Sequence, residues 1–271
     1  MAKIAVITIH GMGNITAHYA DPLRAKLQDA LASQWANISF QSVYYQNLLQ
    51  PRQQDLFDRM KRHLSWIELR EFLLFGCSDA IHLEASRKEA DGLYVQAQLR
   101  VAEALQRAYS ELDDKSGKVI ILAQSLGGQV ISNYLWDAQH AGTTGIWKNI
   151  DQYLKLNNLE QSFVRLNSLH RLFTTGCTIP LSVAGTEPLE PIAPPNPAFR
   201  WFNFYDADDA LGYPLQPLSP AYETLVEDIP VNVDPKGLAG LLSQWNPLSH
   251  THYWEDRGVL ETVIGEIGRS L

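Results

Sequence analysis

The sequence predicts an α/β fold in which a mostly parallel central sheet carries helices on both faces. Near-continuous aliphatic and β-branched runs, such as Ile4–Ile9 and residues 118–123, are typical of strands that are covered on both sides. Amphipathic segments with helical spacing lie between these runs, and strands that alternate with helices favour a parallel sheet. The 271 residues, of which 45% are hydrophobic, suffice for one domain over residues 1–271.

The predicted elements follow one another along this domain. Strands are predicted at residues 3–9, 38–45, 118–123, 171–178, 200–205 and 230–233. Helices are predicted at residues 22–35, 95–112, 127–136 and 258–267. In the first helix, Leu23, Leu27 and Leu31 recur every four residues and therefore share one face.

Residues 47–90 interrupt the alternation of strands and helices. The segment combines helix-forming residues with the aromatic side chains of Trp66, Phe72 and Phe75. Its apolar residues fit a buried helix and also a lid over a substrate pocket, and both interpretations can hold together. We therefore predict a helical cap inserted into the single domain.

Composition narrows the classes of partner and compartment. Lys and Arg number 22 against 30 Asp and Glu, a formal charge of -8 without a basic run, which argues against nucleic acid. The apolar run Ile4–Ile9 is too short for a signal-peptide core, and no stretch approaches the roughly 18 apolar residues of a membrane span. Two cysteines cannot form a disulfide framework. We expect a cytoplasmic protein without an integral membrane segment, and its oligomeric state is left open.

A serine within residues 123–128, Ala-Gln-Ser-Leu-Gly-Gly, is the strongest candidate for a nucleophile. The segment lies between a predicted buried strand and the helix after it. A serine nucleophile needs a sharp strand-to-helix turn that lifts its hydroxyl out of the sheet, and this turn requires small residues two positions before and after it. Ala123 and Gly127 occupy those positions around Ser125. The start of the helix adds backbone N–H groups that can hold a developing oxyanion.

A second loop, His-Gly-Met-Gly at residues 10–13, follows the first strand. A dinucleotide-binding loop would need Gly-x-Gly-x-x-Gly, but Thr16 stands where the third glycine belongs, and no phosphate-loop Gly-Lys-Ser/Thr sequence occurs. With this loop and the turn at Ser125, the chain resembles the α/β-hydrolase superfamily, as topology over nearly its whole length. The resemblance implies a serine, an acid and a histidine that follow in this order.

The same resemblance implies an oxyanion hole made by the backbone amides of Met12 and Leu126. The residues expected to support the loop that carries Met12 are His10, Gly11 and Gly13. The chain departs from the family at Ala123, where glycine is usual, and at Gln124, where relatives often carry histidine. Because Gln124 stands beside the nucleophile, we expect that change to affect substrate fit.

Three acidic residues, Asp206, Asp208 and Asp209, follow the strand predicted at 200–205. In the family, the acid typically precedes an x-Val/Leu pair, and this pattern favours Asp209. Asp206 is the second candidate for the acid and Asp208 the third. The two that are not used are expected to be solvated loop charges. An EF-hand calcium loop does not fit, since Leu211 stands where glycine is needed.

The candidate general base lies just before the terminal helix. Residues 249–254 read Ser-His-Thr-His-Tyr-Trp, and they resemble a Ser-His-x-x-Tyr-Trp pattern of lipase-like hydrolases that maps onto His250. His252 is the alternate, because in an extended segment the two rings would point to opposite sides. No His-Glu-x-x-His segment or cysteine cluster supports a metal site.

These residues together predict a serine hydrolase of a carboxylic ester or thioester that needs no cofactor. Ser125 is expected to attack the carbonyl of a small-molecule acyl substrate, His250 to move the proton and Asp209 to orient the imidazole. One alternative is a non-catalytic binding or scaffolding protein of the same fold. A second, a nucleotide-binding α/β protein, rests only on Gly11 and Gly13.

Overall fold

A six-stranded sheet is the centre of the fold among the residues that the computed structural model describes, namely 2–13, 15–48, 50–140, 144–233, 250 and 252–271. Its strands are β1 (Ile4–Ile9), β2 (Ile38–Val43), β3 (Lys118–Gln124), β4 (Leu169–Thr175), β5 (Arg200–Asp206) and β6 (Val226–Val231). They lie in the order β2-β1-β3-β4-β5-β6, and every neighbouring pair is parallel.

Helices connect these strands. Over the same described residues they are α1 (Asp21–Leu31), α2 (Gln50–Met60), α3 (Ile67–Ala85), α4 (Leu93–Glu111), α5 (Leu126–Gln139), α6 (Ile150–Tyr153), α7 (Asn158–Val164), α8 (Ile179–Val183), α9 (Pro220–Leu225) and α10 (Arg257–Ser270). No described helix combines the length and apolar character needed to cross a membrane.

The sheet separates two hydrophobic cores. On one side α1 and α10 pack against the side chains of Ile4 and Val6. On the other side α4 and α5 pack against Ala5 and Ile7. Neighbouring residues of β1 thus enter opposite cores, which explains why this strand is apolar except at Thr8. The predicted fold class is confirmed, with a sheet that is parallel in every pairing.

Some element boundaries differ from the predictions for local reasons. β4 ends at Thr175 and not at residue 178, because Gly176 has a left-handed φ of 54° that no extended strand can continue. α1 ends at Leu31, since Ala32 has a φ of 47°. The strand expected at residues 230–233 begins earlier, at Val226.

The segment predicted as a cap, residues 47–90, contributes α2 and α3 between β2 and α4. Phe75 and Leu83 of α3 are buried, whereas Ile81 is 64% exposed. The ring of Phe72 meets the ring of His250 edge to face, with centroids 5.8 Å apart. The segment is therefore helical and reaches the candidate site, and its role as a cap remains a prediction.

The chain order of the strands creates the crevice that holds this site. After β1 the chain adds β2 on one side, and it then crosses to place β3 on the other side. Ligands of open parallel sheets bind at such a reversal, beyond the carboxyl ends of the strands. Both sequence motifs lie there, the 10–13 loop after β1 and Ser125 after β3.

Candidate active site

Ser125 occupies a strained turn between β3 and α5. Its φ of 52° and ψ of -122° are rarely adopted by a residue with a side chain, and such strain costs about 1–3 kcal/mol. A Cβ on Gly127 would lie 2.6 Å from the carbonyl oxygen of His10, so only glycine lets the turn pass the end of β1. Ala123 pairs with Ile9 and is fully buried. Close backbone packing thus requires the glycine at 127, and the alanine at 123 lies inside the sheet.

His250 joins Ser125 to Asp209. Its Nε2 atom lies 2.6 Å from the Ser125 Oγ atom, and its Nδ1 atom lies 2.8 Å from Oδ2 of Asp209. All three residues are buried, with at most 6% of their surface exposed. His252 instead lies 3.1 Å from Glu255 near the surface. The structure therefore brings His250, and not His252, to the serine.

Asp209 is held by three hydrogen bonds. Besides the His250 ring, the Leu211 N–H donates to Oδ1 at 2.9 Å and the Tyr253 hydroxyl donates to Oδ2 at 2.9 Å. Burial acts to raise the pKa of Asp209, but the His250 contact and the other two donors outweigh it and hold this pKa below its usual value. The carboxylate thus stays ionised beside the imidazole.

Asp206 has a different place in the fold. Its carboxylate accepts the N–H groups of Asp208 (2.9 Å) and Val233 (2.7 Å), and the residue is 4% exposed. The expectation that an unused Asp206 would be a solvated loop charge is therefore wrong. The carboxylate ties the end of β5 to the chain that follows β6. Asp208, in contrast, is exposed as expected.

His10 braces the loop after β1. Its Nδ1 donates to the Gly11 carbonyl oxygen at 2.7 Å, and its Nε2 accepts the Tyr45 N–H at 3.2 Å. The ring also stacks on the Tyr45 ring, with centroids 4.0 Å apart. Burial lowers the pKa of His10 to about 4, against a partial upward effect of the Gly11 hydrogen bond. His10 is consequently neutral at physiological pH and is engaged through both nitrogens.

The protonation of His10 should make the fold sensitive to acid. Because the pKa is about 4 in the folded chain and 6.5 ordinarily, the unfolded chain binds more protons between these values. The free energy of unfolding should therefore fall as the pH drops through this window, by up to about 1.4 kcal/mol per pH unit. Urea denaturation at neutral pH and near pH 4 measures the free energy of unfolding at both ends of this window. Between the two, this free energy should fall less for His10→Gln than for wild type. Equal falls in the two proteins would contradict this role of His10.

Glycine also allows the 10–13 loop to approach the serine. A Cβ on Gly11 would lie 2.6 Å from Cβ of Ser125 and 3.3 Å from its Oγ atom. Gly13 has a φ of 101°, which residues with side chains rarely adopt. Any larger residue at Gly11 would push the loop away from the serine.

Sequence reasoning missed three residues that hold the site. The Tyr253 hydroxyl accepts the Asp206 N–H at 2.9 Å while it donates to Asp209. A Cβ on Gly176 would lie 2.8 Å from the Tyr253 ring and 3.2 Å from Cε1 of His250. Gly212 packs equally closely against Asp209. The only signal was Tyr253 in the Ser-His-x-x-Tyr-Trp pattern, whose Ser249 lies outside the described residues.

Gln124 makes a contact that the sequence did not indicate. Its side-chain Nε2 donates to the backbone carbonyl of His250 at 3.0 Å. The residue thus holds the histidine segment against the end of β3. Gln124 also lines the small cavity at Ser125, so its expected effect on substrate fit stays a prediction.

Two cavities adjoin the site. The smaller, about 180 Å³, is lined by Ser125, His250 and the 10–13 loop. The larger, about 400 Å³, lies between α3 and α8 and is mainly apolar; Met12 borders both cavities. A wider cleft of about 1010 Å³ runs along the proline-rich segment 190–197, and its lining does not include Ser125, His250 or Met12. Within the described residues, no three His, Cys, Asp or Glu side chains are grouped to hold a metal ion.

Comparison with known proteins finds likeness in structure only. No protein-family model and no curated protein matches the chain. A protein of the alpha/beta hydrolase superfamily from Xanthomonas campestris pv. campestris is 12% identical with a TM-score of 0.40, over 96% of this chain and 98% of that one. A Bacillus cereus carboxylesterase is 11% identical with a TM-score of 0.46, over 99% of this chain and 89% of that one. Neither likeness bears on the reaction of this chain.

Proposed function

We propose that the protein is a serine hydrolase that cleaves a carboxylic ester or thioester through an acyl-enzyme intermediate. The observation that carries this proposal is the His250 ring, which lies within hydrogen-bond distance of Ser125 on one side and Asp209 on the other. Nucleophilic catalysis by serine requires such a base, held in turn by an orienting group. No cofactor is needed for this chemistry.

In the proposed reaction, His250 accepts and returns one proton in each of the two halves, acylation and deacylation. The Ser125 hydroxyl gives its proton to Nε2 while Oγ forms a bond with the carbonyl carbon of the substrate. The imidazolium then protonates the departing alcohol or thiol as its bond to carbon breaks. Water attacks the acyl-enzyme by the same route and restores the serine. Asp209 accepts the Nδ1–H throughout, which favours the tautomer whose Nε2 is free to act as base.

The negative charge on the carbonyl oxygen needs donors fixed in advance. We assign the backbone N–H groups of Met12 and Leu126 to this oxyanion hole. Leu126 is the first residue of α5, where N–H groups have no partner within the helix. Met12 follows Gly11, whose close approach to Ser125 supports its assignment. One such donor is worth about 3 kcal/mol in the transition state.

The cavities support a small-molecule acyl substrate. Met12 separates the small cavity at Ser125 from the apolar cavity beneath α3, so an acyl chain bound in the latter would reach the serine past this residue. Apolar cavities with a few polar groups at one end are typical of small-molecule sites. Residues 47–90 would serve as the cap within one domain, since α3 forms a wall of this cavity.

The two alternative functions, a non-catalytic scaffolding protein and a nucleotide-binding protein, have no structural observation in their favour that compares with the His250 contacts. A scaffolding protein would gain nothing from the strained φ of 52° at Ser125. A phosphate-binding loop needs open space above its glycines, but Ser125 fills the space beside Gly11. Scaffolding and nucleotide binding therefore explain less of the site's geometry than a serine hydrolase does.

Inhibition of ester hydrolysis tests the proposal. Wild-type protein should hydrolyse p-nitrophenyl esters, and a fluorophosphonate should abolish this activity because it reacts with an activated serine. A metal chelator should leave the rate unchanged. Inactivation by the chelator would instead favour a metal-dependent reaction, and a fully active fluorophosphonate-treated protein would exclude a serine nucleophile.

A further inference from the structure

Asp79 is a buried carboxylate that the proposed reaction does not use. It lies on α3 with none of its surface exposed, and burial raises its pKa. Its carboxylate accepts hydrogen bonds from the side-chain amides of Gln46 (3.0 Å) and Gln53, and the backbone N–H of Gly13 is close enough to act to lower its pKa. Among the described residues these donors are all neutral. A carboxylate is costly to bury, so its position calls for an explanation.

The contact with Gly13 places Asp79 next to the predicted oxyanion donor. A peptide unit is planar, so a contact at one of its ends orients the whole unit. His10 holds the Gly11–Met12 unit through the Gly11 carbonyl, and Asp79 holds the Met12–Gly13 unit through the Gly13 N–H. Met12 lies between two oriented peptide units, and its backbone conformation is thereby determined.

The same helix also holds the Met12 side chain. A Cβ on Gly76 would overlap the sulfur of Met12, so the absence of a side chain at Gly76 creates the space for it. Gly76 and Asp79 are three residues apart on α3 and therefore lie on one face of the helix. One helix face thus contacts both the side chain of Met12 and the peptide that follows it.

We propose that Asp79 is a positioning residue that orients the oxyanion donor Met12 by binding the Gly13 N–H from α3. This inference rests on the proposed function, because it assigns a role relative to that oxyanion hole. It also makes α3 a part of the active site, in addition to a cover over the cavity. A displacement of α3 would remove the Gly13 contact and misplace the Met12 N–H.

Steady-state kinetics of Asp79→Ala, with Asp137→Ala as the matched control, tests the inference. Asp137 is equally buried and is hydrogen-bonded to Tyr94 and Gln98, away from the 10–13 loop. We expect Asp79→Ala to lower kcat by about 100-fold with little change in KM, because a misplaced catalytic group costs that much without weakening ground-state binding. Folded Asp137→Ala should keep kcat close to that of wild type.

Amide exchange supplies a readout that does not depend on activity. The Gly13 N–H should exchange slowly in wild type and in Asp79→Asn, which retains an oxygen acceptor, and rapidly in Asp79→Ala. In Asp79→Asn, the new amide can pair with the buried side-chain oxygen of Gln46 or Gln53, neither of which has a partner. Asp79→Asn should therefore fold and recover most of the activity. Rapid Gly13 exchange in wild type would overturn the inference even if Asp79→Ala does not fold.

The outcomes separate this inference from the proposed function. If wild type does not hydrolyse esters, the proposed function fails and the role of Asp79 fails with it. If wild type is active and folded Asp79→Ala keeps its kcat, only the inference is overturned. A loss of kcat in Asp79→Asn with Gly13 still protected would also overturn it, since the charge and not the contact would then matter.

Discussion

Replacement of His250 with alanine is expected to lower kcat by about 10⁴-fold or more, because among the described residues His250 is the base that faces the Ser125 hydroxyl. The ring contacts the serine at 2.6 Å and the acid at 2.8 Å. Its removal leaves the proposed oxyanion donors and the proposed substrate cavity in place, so KM should change far less than kcat. Steady-state hydrolysis of a p-nitrophenyl ester measures both quantities.

His252→Ala is the matched control for this loss. His252 lies two residues away and pairs with Glu255 near the surface, so its removal should leave kcat close to that of wild type. The far-ultraviolet circular dichroism of both variants should match that of the wild-type protein. A large loss in His252→Ala together with an active His250→Ala would contradict the assignment of the base.

Asp209→Asn should lower kcat by about 10⁴-fold, because an amide can donate to the histidine and favour the wrong tautomer. The substitution changes only one atom in the position that accepts the Nδ1–H. The Leu211 N–H can still donate to Oδ1, whereas the Tyr253 hydroxyl, which donates to Oδ2, would have to accept from the new amide instead. The effect should therefore be seen in kcat, with the melting temperature changed much less.

The neighbouring carboxylates give two controls with different expected results. Asp208→Asn removes an exposed charge and should change neither activity nor stability appreciably. Asp206→Asn should lower the free energy of unfolding, since its carboxylate accepts two backbone N–H groups, and should leave kcat largely intact. Full activity of Asp209→Asn with an inactive, folded Asp206→Asn would transfer the role of the acid to Asp206.

The strands of the central sheet and the turn at Ser125 could be predicted because their determinants are local. The mainly apolar residues of β1 and of the middle of β3 follow from burial on both faces. The glycine two residues after Ser125 follows from the backbone of His10, which passes within contact distance of Gly127. Such signals lie within a few consecutive residues and do not depend on the rest of the chain.

The acid and the supporting groups depend on contacts between distant segments. Nothing near Asp206 indicates that Val233 will donate to it, and nothing near Tyr253 indicates that it will bridge Asp206 and Asp209. Asp79 lies in a helix without any recognisable motif, and its buried position is set by α2, α3 and the 10–13 loop together. These features arise from tertiary packing, and they cannot be predicted from hydrophobic periodicity or from a short sequence motif.

The attachment site of a fluorophosphonate tests the central assignment most directly. Mass spectrometry of the digested, labelled protein should find the phosphonyl group on Ser125 with one adduct per chain, and Ser125→Ala should not be labelled. Because His250 Nε2 lies 2.6 Å from the Ser125 hydroxyl and is its proposed base, the rate of labelling should fall in His250→Ala. An adduct on another residue, or equal labelling of Ser125→Ala, would contradict the assignment of Ser125 as the nucleophile.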